Sequence, residues 1–250
     1  MYAATSETGE ACALKLLNPV SLLDPRARER FRREGEALRR IAHPHIVAVR
    51  EVGFHEGQPY LTMDRVPGRS LAERLAEIRG AKERGDPLPR WHPDCADSVR
   101  GAVALATQLA HALVELHAAG LLHRDLKPEN IVVTESGEAV LVDFGLATDE
   151  RFATLTHTGD VLGTLSYMAP EQARGERVDV RADLYGLGAI LHELLTLEPP
   201  HGDVKSLTSL REVAEGSASP LGPRTARIPR PLRKILYRLL AYSPTRRYAS

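Results

Sequence analysis

Four polar residues in the middle of the chain have the types and spacing that a phosphoryl transfer requires. Asp125, Lys127 and Asn130 lie in one predicted loop between short apolar runs, and Asp143 follows the next apolar run. The carboxylate of Asp125 can orient an attacking hydroxyl, and the ammonium of Lys127 can offset charge on the transferred group. Asn130 and Asp143 offer the hard oxygen ligands that Mg²⁺ prefers. These residues are therefore predicted to form a phosphoryl-transfer site.

The use of lysine in this chain is informative. Arginine supplies most of the positive charge, and Lys occurs only at 15, 82, 127, 205 and 234. Arginine is planar and always charged, whereas lysine is a compact point charge. Lys15 and Lys127 are therefore candidates for positions whose chemistry requires an ammonium group.

The composition excludes several classes of partner. The chain has 250 residues and 43% apolar content, which is enough for a substantial core. Lys and Arg together number 33, as do Asp and Glu, so the formal net charge is zero. This balance predicts no nucleic-acid partner and no attraction to an anionic membrane.

The cysteines and the apolar runs indicate the compartment. Cys12 and Cys95 lie far apart and form neither a metal-type spacing nor a disulfide framework, which favours a reducing compartment. No apolar run approaches the roughly 18 residues of a membrane span, and the N-terminus lacks a signal-peptide pattern. The expectation is a cytoplasmic chain without a membrane segment of its own, although a tether outside residues 1–250 is compatible with it.

The first quarter of the chain is predicted to be rich in strands. Its strands are expected at 1–5, 10–17, 46–54 and 59–64. One helix is expected to begin at Asp24-Pro25, as an N-cap followed by proline, and to continue to about Ala42. Pro67-Gly68 interrupts this pattern. We therefore place a boundary there, between an N-terminal lobe at 1–66 and a C-terminal lobe at 67–250.

The remainder of the chain is predicted to be mainly helical. Helices are expected near 70–78, at 98–119, at 183–197 and around 232–240, with an exposed loop at 79–97. The fold class is α+β, with a small antiparallel β lobe that carries one helix and a larger, mainly α lobe.

Three motifs carry a resemblance to a known family. The chain reads H-R-D-L-K-P-E-N at 123–130, D-F-G at 143–145 and A-P-E at 169–171. Together they resemble the catalytic domain of Ser/Thr protein kinases, most closely the bacterial receptor-type kinases, over nearly the whole chain. The resemblance implies ATP as phosphate donor and a bilobal protein-kinase-like fold. It also implies Asp125 and Lys127 as catalytic residues, with Asn130 and Asp143 holding Mg²⁺ or, as an alternative, Mn²⁺.

The resemblance also assigns residues that contact the phosphates of ATP. Lys15, in A-L-K at 13–15, would contact the α- and β-phosphates. In the family this lysine pairs with a glutamate on the following helix, which corresponds to Glu34. Glu36 is the weaker alternative.

A second set of residues would surround the adenine. Met63 corresponds to the gatekeeper beside it, and the backbone groups of Asp64 and Val66 would bond to it. Val132, in the short apolar run after Asn130, is assigned to the same nucleotide site.

Interior contacts between the lobes are implied as well. A stacked apolar column would run through Leu38, Val49, His123 and Phe144, with Asp183 anchoring its base. Glu171 would pair with an arginine late in the chain, for which Arg247 is the best match and Arg246 the neighbouring alternative.

Regulation by phosphorylation follows from the same resemblance. Arg124 would pair with a phosphate on the activation loop. Thr156 and Thr158 resemble the paired autophosphorylation threonines of bacterial receptor-type kinases, and Thr164 would bond to the catalytic Asp and Lys. Protein substrates are expected partners, and trans-autophosphorylation would need a kinase dimer.

Other phosphotransferases fit the residues less well. Tyrosine kinases usually carry Ala-Ala-Arg where this chain has Lys127-Pro128-Glu129. Small-molecule phosphotransferases of the superfamily generally lack the A-P-E and Gly-Thr segments found at 169–171 and 163–164.

One family feature is missing from these residues. No G-x-G-x-x-G precedes Lys15, and Met1 to Ala4 resemble the strand just after that loop. Either the sequence is a fragment, or it is a degraded, inactive kinase that serves as a binding module. The retained Lys15, Asp125 and Asp143 favour the fragment. In both cases this 250-residue chain is expected to bind ATP weakly.

Overall fold

The computed structural model describes residues 1–6, 8–17, 19–86, 98–145, 164–202, 207–216 and 228–250. The strands are β1 (Tyr2–Thr5), β2 (Ala11–Leu16), β3 (Val49–His55), β4 (Gln58–Asp64), β5 (Arg69–Ser70), β6 (Ile131–Val133) and β7 (Ala139–Leu141). The helices are α1 (Pro19–Leu22), α2 (Pro25–Leu38), α3 (Leu71–Arg84), α4 (Ser98–Ala118), α5 (Pro170–Ala173), α6 (Val180–Thr196), α7 (Leu207–Glu215) and α8 (Arg230–Leu239). Short 3-10 turns form at Pro128–Asn130, Thr164–Tyr167 and Pro244–Arg246.

Two antiparallel sheets organise the strands. The larger sheet has the order β1-β2-β4-β3, and the smaller one has the order β5-β6-β7. In the larger sheet Ala13 of β2 lies opposite Met63 of β4. The amide of Val47 donates to the carbonyl of Leu141 at 2.9 Å, which ties the segment before β3 to the smaller sheet. The division of the chain at 67 stays a prediction.

Helix α2 begins where the sequence predicts and ends earlier. The carboxylate of Asp24 accepts the amide hydrogen of Arg26 at 2.9 Å, as expected of an N-cap before a first-turn proline. The helix was expected to reach Ala42 but ends at Leu38. Arg40 and Ile41 instead form tight turns, with amides bonded to carbonyls three residues back at 3.2 and 3.0 Å. Apolar periodicity does not distinguish such turns from a last helical turn.

Helix α3 is longer than the sequence predicts. It was expected to stop near 78 and give way to an exposed loop, but it continues to Arg84 and is capped by Gly85 at φ 74°. The four residues Ala81 to Arg84 are good helix formers, and Gly85 ends the helix in the left-handed conformation. Arg79 in addition anchors the helix, because its guanidinium donates to the carbonyl of Leu197 at 2.8 Å and pairs with Glu193. Residues 87–97 of the predicted loop lie outside the described residues.

Helix α6 forms the centre of the larger lobe. Nearly all of its side chains are buried, and it packs between α4 and α8. Two glycines allow the close approach: a Cβ on Gly186 would lie 3.1 Å from that of Leu126, and one on Gly188 would lie 2.7 Å from that of Leu239. The helix that carries Asp183 is therefore fixed against the catalytic segment. Within the described ranges, no helix is long and apolar enough to cross a membrane.

Candidate active site

The base of the site is a carboxylate on α6. Asp183 is 2% exposed and accepts the amide hydrogens of His123 and Arg124 at 2.9 and 2.8 Å. The rings of His123 and Phe144 lie 5.4 Å apart between centroids, and burial lowers the pKa of His123. Leu38, Val49 and Phe144 belong to one buried apolar cluster. The contact between His123 and Phe144 and the anchor at Asp183 are thus formed, and the stacking of Leu38 and Val49 on them stays a prediction.

The structure brings the predicted catalytic residues together. The side-chain amide of Asn130 donates to the carbonyl of Asp125 at 2.7 Å and to its carboxylate at 3.0 Å. The ammonium of Lys127 lies 3.0 Å from the same carboxylate. The 3-10 turn at Pro128–Asn130 sets this geometry, since the amide of Asn130 bonds to the carbonyl of Lys127 at 3.0 Å.

Asp143 is held next to this loop. The amide of Val142 donates to the carbonyl of Asn130 at 3.0 Å, so the two chain segments run side by side. The ammonium of Lys15 donates to the carboxylate of Asp143 and to the carbonyl of Phe144. Lys15 and Asp143 therefore compensate each other's charge in this structure.

The chemistry of these donors fits a divalent cation such as Mg²⁺. Both amide hydrogens of Asn130 point to Asp125, which leaves its amide oxygen as the ligating atom. Asp143 adds a carboxylate oxygen. Among the described residues, no cluster of three or more His, Cys, Asp and Glu forms a dedicated metal cage. A site of one or two protein oxygens is typical of Mg²⁺ that is also held by phosphates.

The predicted ion pair between Lys15 and Glu34 is not formed. Glu34 pairs with Arg124 at 3.2 Å instead, while Lys15 pairs with Asp143. Burial raises the pKa of Glu34, and the guanidinium of Arg124 partly opposes this. Each charge thus has a partner other than the one predicted. Thr156 and Thr158, whose phosphates are the predicted partners of Arg124, lie outside the described residues.

The residues assigned to adenine lie on both sheets. Met63 and Asp64 lie on β4, an inner strand of the larger sheet, Val66 follows that strand, and Val132 lies on β6 of the smaller sheet. Met63 is 1% exposed, and its neighbour Asp64 ends β4. The side chain of Asp64 is held by Arg50 at 2.5 Å, which also bonds to Glu10 at 2.7 Å. Val66 is partly buried against the main apolar cluster. Met63 is thus covered by other side chains in this structure, and the adenine role of Met63 and Val66 stays a prediction.

The predicted late ion pair is formed by Arg247. Its guanidinium bonds to both carboxylate oxygens of Glu171 at 2.5 and 2.8 Å, and the side chains are 0% and 4% exposed. Arg247 also donates to the carbonyl of Arg181 at 3.0 Å. Arg246, the alternative, is exposed.

The structure adds polar residues that sequence reasoning missed. His117 of α4 lies 2.8 Å from the carboxylate of Asp183. The hydroxyl of Tyr167 donates to Glu193 at 2.5 Å, and burial raises the pKa of both groups. Gln172 donates to the carbonyl of Arg124 at 2.7 Å. These are contacts between distant segments, and nothing in the local pattern around each residue marks them.

Comparison with known proteins shows the family to which the chain belongs. The sequence model of the family described as "Protein kinase domain" matches residues 1–250. The chain belongs to the protein kinase family. It is 37% identical over 245 residues to serine/threonine-protein kinase PknH of Mycobacterium bovis, covering 95% of this chain and 37% of that protein. It is 36% identical over 239 residues to serine/threonine-protein kinase PknD of Mycobacterium tuberculosis, covering 95% and 34%.

Solved structures show the kinase fold directly. The kinase domain of PknI from Mycobacterium tuberculosis matches with a TM-score of 0.69 and 31% identity, over 100% of this chain and 85% of that one. The bilobal α+β kinase fold expected from the sequence is confirmed. MasK of Myxococcus xanthus, which is named a tyrosine-protein kinase, is 36% identical over 239 residues, as PknD is. The match covers 94% of this chain and 36% of MasK. The chain spans roughly a third of the length of the curated relatives it matches.

Proposed function

We propose that the chain is the catalytic domain of an ATP-dependent protein Ser/Thr kinase, which transfers the γ-phosphate of Mg-ATP to Ser or Thr hydroxyls of proteins. The observation that carries this proposal is one hydrogen-bonded cluster, in which Lys127 and Asn130 both contact the carboxylate of Asp125, next to Asp143. Motif, loop geometry and family agree on the same residues.

Each residue has a role that its position supports. Asp125 would accept the hydroxyl of the substrate and orient it for attack. Lys127 would offset the charge that develops on the transferred phosphoryl group. Asn130 and Asp143 would hold Mg²⁺, or alternatively Mn²⁺, which neutralises the phosphate oxygens when bound.

The nucleotide would lie between the two sheets. Lys15 would turn from Asp143 to the α- and β-phosphates, so that Asp143 becomes free to bind the metal. Met63 and Val132 would contact the adenine, and the backbone of Asp64 and Val66 would bond to it.

Activation-loop phosphorylation would drive an exchange of ion pairs. A phosphate on Thr156 or Thr158 would compete for the guanidinium of Arg124, which Glu34 occupies in this structure. A doubly charged phosphate binds a guanidinium more strongly than a carboxylate does. Glu34 would then be released to pair with Lys15. Thr164 would bond to Asp125 and Lys127 in the active form.

Two further features belong to this proposal. The domain would work in the cytoplasm on protein substrates. A second copy of the domain would transfer phosphate from ATP to the activation loop of the first, in trans.

Replacing the base tests the proposed function. A peptide copied from residues 150–162 and Mg-ATP provide the assay for the chain and for an N-terminally extended form. We expect Asp125→Asn to lower kcat by about 10²-fold or more, because the hydroxyl loses its acceptor. Asp179→Asn is the matched control, since Asp179 caps α6 by accepting the amide of Arg181 at 2.8 Å and asparagine caps equally well.

The result can also contradict the proposal. Equal rates for Asp125→Asn and the wild type would remove Asp125 as base. No transfer by either wild-type form would favour a kinase-fold binding module.

A further inference from the structure

The backbone of Arg124 has a conformation that residues with side chains rarely adopt. Its φ is 64°, one of three positive φ values among the described non-glycine residues. Such a conformation is unfavourable and persists only where neighbouring groups fix it. Because Arg124 directly precedes Asp125, the groups that fix Arg124 also set the direction of the proposed base.

Two side chains hold most of the peptide groups in this segment. Asp183 accepts the amide hydrogens of His123 and Arg124, and Asn130 donates to the carbonyl of Asp125. The peptide that joins Arg124 to Asp125 lies between these contacts. Its carbonyl oxygen needs a donor from another part of the molecule.

Gln172 provides that donor. Its side-chain nitrogen donates to the carbonyl of Arg124 at 2.7 Å, while its side-chain oxygen accepts the amide hydrogen of Ala169 at 3.1 Å. The residue is 6% exposed, so both bonds are shielded from water. The two bonds also fix the orientation of the amide, because only its nitrogen can donate.

Helix α5, which carries Gln172, is itself anchored. The preceding residue, Glu171, forms the buried ion pair with Arg247. This anchored segment presents the Gln172 amide to the carbonyl of Arg124, whose amide group bonds to Asp183. Rigid support of this kind holds reacting groups in place.

We propose that Gln172 is a positioning residue: its amide nitrogen holds the left-handed peptide of Arg124, and so aims the carboxylate of Asp125 at the substrate hydroxyl. The role links the end of the activation segment to the catalytic loop. It rests on the proposed kinase activity for its catalytic readout.

The nearly isosteric variant Gln172→Glu replaces the donor nitrogen by a carboxylate oxygen and adds a negative charge. A carboxylate still accepts from Ala169 but cannot donate to Arg124. We expect kcat for the 150–162 peptide to fall about tenfold or more near pH 8, because a buried carbonyl loses its partner. The KM for ATP should change by less than about twofold, since the loss acts on the base rather than on nucleotide binding.

The pH dependence gives a second readout. We expect burial and the carboxylates of Asp125 and Asp183 to raise the pKa of the introduced carboxyl, and the guanidinium of Arg124 to oppose this. Two other titratable groups lie nearby. The charge of Glu171 is compensated by its ion pair with Arg247, and His117 contacts the carboxylate of Asp183. Protonated glutamate can donate again. The ratio of the variant's kcat to the wild-type kcat should therefore rise as the pH falls from about 8 to about 6.

Two further variants complete the comparison. Gln108→Glu makes the same chemical change in α4, where the side-chain oxygen accepts the amide hydrogen of Ala139 at 2.8 Å. This variant should keep the wild-type kcat, and the ratio of its kcat to the wild-type kcat should not change between about pH 8 and about pH 6. Gln172→Met removes both bonds without a charge and should show a low kcat at every pH, so the test survives if Gln172→Glu does not fold.

Amide hydrogen exchange over residues 121–130 supplies a readout without catalysis. We expect faster exchange in both Gln172 variants than in the wild type and Gln108→Glu. An active wild type with unchanged kcat in both Gln172 variants would overturn the positioning role. If the wild type transfers no phosphate, the proposed function fails. Faster exchange in the Gln172 variants would then still support Gln172 as the residue that holds the Arg124 peptide, and unchanged exchange would overturn that as well.

Discussion

Arg124 is the residue at which two parts of the site meet. Its backbone is fixed by Asp183 and Gln172, and its guanidinium is paired with Glu34. The family resemblance assigns Arg124 a phosphate on the activation loop, whereas its guanidinium pairs with Glu34 in this structure. The sequence does not predict this pair, because it depends on where α2 lies relative to the catalytic loop.

At this scale the proximity of the loop residues was predictable, and several ion-pair partners were not. The motifs predicted that Asp125, Lys127 and Asn130 lie in one loop, and the structure places them in contact. Lys15 and Glu34 were predicted to pair with each other, but they contact Asp143 and Arg124. Pairing between distant segments is decided by tertiary structure. The family resemblance predicted it correctly for Glu171 and Arg247 but not for Lys15 and Glu34.

Phosphorylation of the activation loop gives the prediction at the residue scale. After incubation with Mg-ATP, phosphopeptide mapping should find phosphate on Thr156 or Thr158. Replacing both by alanine should lower kcat about tenfold, because Arg124 then stays with Glu34. Arg124→Ala should lower kcat similarly and remove the effect of the threonine substitutions.

Thr154→Ala is the control for this prediction, since it lies in the same loop without the assigned role. An equal loss in Thr154→Ala would contradict the assignment. So would a map in which neither Thr156 nor Thr158 carries phosphate.

The elements differ in how well local pattern predicts them. The capped start of α2 and the helix at 98–118 follow apolar periodicity and cap residues closely. The end of α3 differs from the prediction because Gly80 lies inside the helix and does not end it. The good helix formers at 81–84 and the cap at Gly85 are local signals for the longer helix.

The ion pair between α5 and the C-terminal turn gives the prediction at the element scale. Arg247→Met should lower the free energy of unfolding by roughly 3–5 kcal/mol, because Glu171 would remain buried without a partner. Denaturant titration measures this change. The double variant Glu171→Leu with Arg247→Met should lose less than Arg247→Met alone.

Arg246→Met is the matched control for this pair, because Arg246 is exposed next to Arg247. Its unfolding midpoint should equal that of the wild type. A loss of stability as large as that of Arg247→Met would show that the buried pair is not the cause.

At the scale of the whole molecule, the two sheets and α6 converge on one site. The larger sheet supplies Lys15 and Met63, the segments around the smaller sheet supply Asn130 and Asp143, and α6 supplies Asp183. The sequence predicted this bilobal arrangement because the three motifs have kinase order and spacing. The placement of α2, on which the pairing of Lys15 depends, required the structure.

The identity of the phosphorylated residue tests the central claim most directly. The chain and an N-terminally extended form are incubated with Mg-ATP labelled at the γ-phosphate, together with an unfolded protein that contains Ser, Thr and Tyr. Acid hydrolysis then separates the labelled amino acids. The account predicts label on phosphoserine or phosphothreonine that is lost in Asp125→Asn. Label on phosphotyrosine alone, or no label from either form, would contradict it.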